Sequence, residues 1–119
     1  MKWLAAPALL LILSAQALAE GGFLSGISDL PLMQGLSEDA QAALVFETPE
    51  GRIAQFAAKG PVSQDGIRRF YGETLPELGW TPKGQGRFWR EKEELRLIVK
   101  SLPAGGSEAR FELTPIKSK

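Results

Sequence analysis

The sequence predicts an α+β domain: a two-layer arrangement with one antiparallel sheet in β-β-α-β-β-β order and one helix packed on one face. Three observations support it. Ser63 to Trp80 is a stretch whose apolar residues, Ile67, Phe70, Tyr71, Thr74, Leu75 and Leu78, recur with the spacing of one helix face. Segments on both sides of it alternate apolar and polar residues, with the period of a half-buried strand. Short runs rich in Gly and Pro separate those segments, as hairpin turns do.

The helix has signals at both ends. Ser63 is a good N-cap, because its hydroxyl accepts a bond from a first-turn N–H. Asp65 lies where the helix dipole favours negative charge, four residues before Arg69, the favourable order for an ion pair. Gly79 suits a left-handed C′ position, which would fold Trp80 back on the last turn. Pro76 lacks a backbone donor and is expected to kink or tighten that turn.

Before the helix, Ala42 to Thr48 reads as a strand with Leu44 and Phe46 on one face and Val45 and Glu47 on the other. Pro49-Glu50-Gly51 is a turn, and Arg52 to Lys59 returns as a second strand with Ile53 and Phe56 on opposite faces. After the helix, Thr81 to Gly86 is expected to be a loop or an edge segment, since Pro82 cannot donate to a ladder. Arg87 to Glu91 and Glu94 to Ser101 form a second hairpin, with Leu95, Leu97 and Val99 alternating against Glu94, Arg96, Ile98 and Lys100. Ala109 to Thr114 is the last strand, after a turn at Gly105-Gly106. An even loop after Arg90 puts Phe88 on the face of Leu95 and Leu97, and an odd one puts Trp89 there. The open face is expected to carry Ile98 and Phe56 beside the other aromatic.

The first nineteen residues read as a cleaved signal peptide: Lys2, an apolar run from Leu4 to Leu13, and Ala17-Leu18-Ala19 as the cleavage site. The run is about half of the ~20 residues a membrane span needs. The expected mature chain starts at Glu20, has no membrane span, and is periplasmic or secreted. Without Lys2, acids outnumber bases by one, so no global basic field draws nucleic acid or anionic lipid. Residues 20–36 have the apolar Phe23, Leu24, Ile27, Leu30, Leu32, Met33 and Leu36 among four glycines and Pro31, with neither strand nor helix periodicity. This extended arm is expected to dock, either on the domain at 37–116 or on an envelope protein partner. Phe23, Leu24, Ile27, Leu30, Leu32 and Met33, with Trp89, form the candidate interaction surface. Residues 117–119 are expected to fray.

The chain has no His and no Cys. Ser-His-Asp and Cys-His triads, thiol redox chemistry, disulfides and the usual zinc and haem ligand sets are excluded. The carboxylates Asp29, Asp39, Glu47, Glu50, Asp65, Glu73 and Glu77 are scattered, and no spacing sets a catalytic pair. Gly84-Gln85-Gly86 precedes a strand rather than a helix, so it is no phosphate cradle. No cofactor is expected. The leading expectation is a non-enzymatic accessory or protein-binding module. The alternative is a carrier of a small ligand or lipid, with a pocket between sheet and helix near Tyr71 and Trp80. A hydrolase using carboxylates alone is the third reading.

The stretch Phe70-Tyr71-Gly-Glu-Thr-Leu75-Pro-Glu-Leu-Gly79-Trp80 resembles an FYxxxLPxxGW helix motif of small exported bacterial proteins of unknown function. In them the motif follows a hairpin and precedes a sheet. The segments Ile27 to Met33 and Thr48 to Ile53 share the likeness, which spans about residues 26 to 115. It implies the fold and export, and no activity. Intact mass measurement of the protein from its native envelope should give the mass of residues 20–119; the mass of all 119 residues would instead mean retention of the apolar N-terminus.

Overall fold

The computed structural model describes residues 29–116. The segment read as a signal peptide, the arm before Asp29 with Phe23, Leu24 and Ile27, and residues 117–119 lie outside the described residues.

Among the described residues, one α-helix and seven strands make an α+β fold. The strands before the helix are β1 (Ser37–Glu38), β2 (Leu44–Thr48) and β3 (Gly51–Gly60). The helix α1 (Gln64–Glu77) leads to β4 (Thr81–Gly84), β5 (Arg87–Arg90), β6 (Glu93–Ser101) and β7 (Ser107–Pro115). All pairings are antiparallel, in the order β1-β3-β7-β6-β5-β4, with β2 also on β3. β1 is an addition to the expected strands, and β4 takes the edge-segment alternative expected for Thr81 to Gly86. β1 pairs only Ser37 and Glu38, too short for a periodic signal, and β4 holds its place at the far edge despite Pro82.

Topology explains the length of α1. It connects β3 to β4, and β7, β6 and β5 lie between them. Four inter-strand steps of ~4.8 Å come to about 19 Å. The 14 helical residues, at ~1.5 Å each, span about 21 Å. The ends of α1 form as the sequence suggests. Ser63 Oγ accepts from the Gly66 N–H at 2.9 Å. Trp80 N–H donates to Leu75 O and Gly79 N–H to Pro76 O, both at 3.1 Å, with Gly79 at φ +96°. That is the paired-bond Schellman ending. Leu78 N–H also reaches Leu75 O at 2.9 Å, so the last turn is tightened around Pro76. Asp65 pairs with Arg68 at 3.6 Å rather than with Arg69.

Register sorts the side chains into two faces. Ala54, Phe56 and Ala58 lie opposite Leu113, Phe111 and Ala109; these face Leu95, Leu97 and Val99, and Phe88 faces Leu95. This face forms the core with Ile67, Tyr71 and Leu75 of α1. The Tyr71 ring meets Phe111 edge-on at 5.0 Å. Phe56 is therefore a core residue, which corrects its expected place on the open face. Its neighbours Ala54 and Ala58 are small, so β3 lacks the large-residue alternation that marks a buried face. Phe88 takes the core side because the turn after Arg90 has two residues, Glu91 and Lys92, joining the pair Arg90 and Glu93. Glu91 occupies positive φ (56°) where glycine is usual, so the turn carries no glycine signal.

From Asp29 onward the arm lies on this core. Leu30 is 0% exposed and Leu36 is buried, while Leu32 and Met33 pack partly against the cluster. The Tyr71 hydroxyl holds the arm twice: it donates to Pro31 O at 2.8 Å and accepts from the Met33 N–H at 3.0 Å. Arg90 closes the other end of that segment. Its guanidinium donates to Asp29 at 2.7 Å and to Leu78 O at 2.9 Å, and lies 4.3 Å from the Trp80 ring centroid. Hydrogen bonding to Arg90 holds the Asp29 carboxyl below its ordinary pKa. Gly60 lets the arm's turn approach, since a Cβ there would run into the Gly35 carbonyl oxygen.

Burial pushes the Tyr71 pKa from 10.0 to about 12, so the hydroxyl keeps the proton that it donates to Pro31. The native state thus holds this proton where the unfolded chain has released it, and stability should fall as pH rises from 10 to about 12. Tyr71→Phe should cost about 1–3 kcal/mol in denaturant melts near neutral pH. It should also flatten that alkaline loss.

Candidate functional site: an apolar sheet edge

The alternation of an antiparallel ladder decides which backbone groups of β2 are used. Ala57 O accepts from the Asp39 N–H at 2.8 Å, so the odd-numbered residues of β3 direct their polar groups toward the β1 and β2 side. Their partners in β2 are Leu44, Phe46 and Thr48. Val45 and Glu47 consequently aim N–H and C=O away from the sheet. Among the described residues, no strand pairs with that outer side.

The side chains at this edge are apolar on both faces. Leu44, Val45 and Phe46 are 48%, 49% and 46% exposed. Val45 shares the face of Ala54, but lies beyond the helix's cover. Leu44 and Phe46 lie on the open face beside Gln55 and Ile53. The rest of the open face is charged. Glu108 is buried with Lys100 and Arg110 each at 3.5 Å, and Glu94 lies 3.6 Å from Arg87 and 3.7 Å from Arg96. Apolar surface is thus concentrated at one end of the sheet, with Ile98 as an exposed apolar residue amid the charges. The opposite edge is built differently. β4 is Thr-Pro-Lys-Gly, with a register shift between Pro82 and Gly84. Proline, lysine and a bulge all discourage another strand from joining.

Of the residues expected to form an interaction surface, the described ones do not assemble into one. Leu30 is core, a correction to its expected role, and Leu32 and Met33 are partly buried by their own domain. Phe23, Leu24 and Ile27 lie outside the described residues. Trp89 is on the open face, but at the other side of the sheet from β2. Its Nε1–H donates to Glu94 at 2.8 Å and the Lys83 ammonium sits 4.4 Å from its ring centroid. Both ring face and ring nitrogen are engaged. Leu44, Val45 and Phe46 are the residues that the sequence reading did not single out. Their signal is three consecutive large apolar residues in a strand otherwise expected to alternate.

The space expected beside Tyr71 and Trp80 is filled, for both rings belong to the core. A cleft of about 510 Å³ lies elsewhere, between Arg68 of α1 and the residues Gln85, Gly86, Phe88, Leu97 and Val99. Its lining, which includes Ile98, is largely apolar, with Arg68 and Gln85 as its polar side chains, and neither Tyr71 nor Trp80 lines it. Among the described residues, no three His, Cys, Asp or Glu side chains group as a metal site, and no helix is long and apolar enough to cross a membrane.

Unfolding measurements should separate the edge from the core. Phe46→Thr should change stability by no more than about 1 kcal/mol. Phe56→Ala, on the neighbouring strand, should cost about 3–5 kcal/mol.

In comparisons with known proteins, no protein-family model, curated protein or solved structure matches the chain.

Proposed function

We propose that the chain is an exported periplasmic accessory protein, a non-enzymatic module that works by protein contact through the outer edge of β2. In this reading it belongs with the small exported proteins whose FYxxxLPxxGW helix its own helix resembles. The two-layer sheet and helix are a scaffold. The single observation that supports the reading most is the edge itself: exposed Leu44, Val45 and Phe46 on a strand whose outer backbone groups have no partner among the described residues. A peptide strand laid along it would gain main-chain hydrogen bonds at Val45 and Glu47 and apolar contacts on both faces. The absence of His and Cys supports the non-enzymatic part.

Removing residues 20–36 cannot test this reading cleanly, because Leu30 and Leu36 would leave the core with them. A photo-reactive residue is cleaner. Phe46→p-benzoylphenylalanine, irradiated in the native envelope, should give defined protein adducts, and the same probe at the exposed helix position Glu73 should not. Equal yields at the two positions, or no adduct at Phe46, would sink the reading.

A further inference from the structure

We propose that the partner along this edge is a second copy of the same chain, joined by antiparallel pairing of β2 with β2 about a two-fold axis at Val45. This deepens the protein-contact reading and rests on it. The register follows from side-chain chemistry. With Val45 facing Val45 of the other copy, Leu44 faces Phe46, Phe46 faces Leu44, and Ala43 faces Glu47. Each apolar residue of the edge then meets another apolar residue. Moving the axis to Phe46 would set Val45 against Glu47 and Leu44 against Thr48, a poorer match.

Backbone and charge agree with the Val45 axis. The outward groups belong to Val45 and Glu47; Ala43 is extended (φ −77°, ψ 134°), but its N–H already donates to Ala40 O at 3.3 Å. Val45 would exchange two hydrogen bonds with its own counterpart, and the Ala43 carbonyl would accept one from the Glu47 N–H of the other copy. The two Glu47 side chains fall four residues apart along the strands, about 13 Å at ~3.3 Å per residue. That exceeds the screening length of ~8 Å at physiological salt, so they do not oppose the pairing. On the open face, Leu44, Phe46 and Ile53 of both copies would form one apolar strip across the junction, where each copy alone leaves them beside charged neighbours.

The two edges also set the size of the assembly. One edge is apolar and self-complementary, while the β4 edge is blocked by Pro82, Lys83 and the register shift. Pairing through a single edge closes at two copies and gives no fibre. A five-residue strand makes a small contact, below the ~1,200 Å² at which specific interfaces become stable. The dimer should therefore be reversible and concentration-dependent.

The test uses the protein purified from its native envelope. Sedimentation of the wild type should show monomer passing to dimer between micromolar and millimolar concentration, with no larger species. Val45→Lys puts two like charges face to face on the axis and should weaken the dimer at least tenfold. With the axis at Phe46 the same lysine would face Glu47 and tighten the dimer, which overturns the proposed register. Val45→Pro removes only an outward N–H, so β2 keeps its bonds to β3, and it should also dissociate the dimer; circular dichroism checks that both variants stay folded. The chain has no cysteine of its own, so Val45→Cys under mild oxidation should link two copies, since facing residues lie within disulfide reach. Glu47→Cys should not. A wild type monomeric throughout, or a dimer indifferent to Val45→Lys and Val45→Pro, overturns the inference. If the wild type stays monomeric while the probe at Phe46 captures a different protein, the inference fails and the protein-contact reading stands.

Discussion

The fold depends on one hydroxyl group. The arm from Pro31 to Met33 makes one isolated bridge, at Pro31, and belongs to no strand, yet it lies on an apolar core where an unpaired backbone group is costly. Tyr71 resolves this by acting as donor to one peptide and acceptor from another two residues on. The ring below it is fixed by Phe111 of the sheet and by Phe70 at 4.8 Å. Arm, helix and sheet thus meet in one side chain. The dependence runs both ways. The arm's cover raises the cost of ionising the phenol, and the neutral phenol is what keeps the arm in place. Leu30 and Leu36 can then remain buried, each contributing about 1.5–3 kcal/mol of apolar transfer.

Arg90 complements this contact at the end of the arm. It joins a carboxylate of the arm, the C-cap carbonyl of the helix at Leu78 and the face of Trp80. A guanidinium suits this place, since its planar fork can donate in two directions while stacking on an indole. A lysine ammonium could serve the charge but not the geometry. With these two side chains the domain covers its core without a disulfide, which its composition rules out. The edge at β2 gains nothing from them. Among the described residues it is stabilised from one side only, by β3.

Much of the fold was legible in the residues. The stripe from Ile67 to Leu78, the Ser63 cap and the Gly79-Trp80 ending are local signals, and each formed as read, with Ile67, Tyr71 and Leu75 as its fully buried members. The hairpin of β2 and β3 and the strands at β5, β6 and β7 were also legible from alternation. What escaped depends on distant partners. β4 stays open between a loop and an edge segment in the sequence, because its strand pairing depends on β5 beside it. Phe56 was misplaced because the face it shares with two alanines has little hydrophobic contrast. Docking of the arm is expected, but choosing the domain over a partner for the part from Asp29 onward needs knowledge of where the Tyr71 hydroxyl points. The candidate site was hardly legible: Leu44, Val45 and Phe46 look like interior strand residues until the sheet order leaves β2 at an edge.

The pairing of β3 with β7 constrains how the chain reaches its structure. Ala54 finds its partner at Leu113, and Gly60 at Ser107, so the central ladder joins segments separated by the helix and three other strands. Local hairpins and the helix can form early, but the sheet that buries Phe56 cannot exist until the last strand is present. A chain emerging N-terminus first therefore holds an uncovered β3, with apolar β2 beside it, until β7 has emerged. The core then closes in one late step rather than progressively. Loss of Arg110 to Pro115 would remove the centre of the sheet rather than trim its margin.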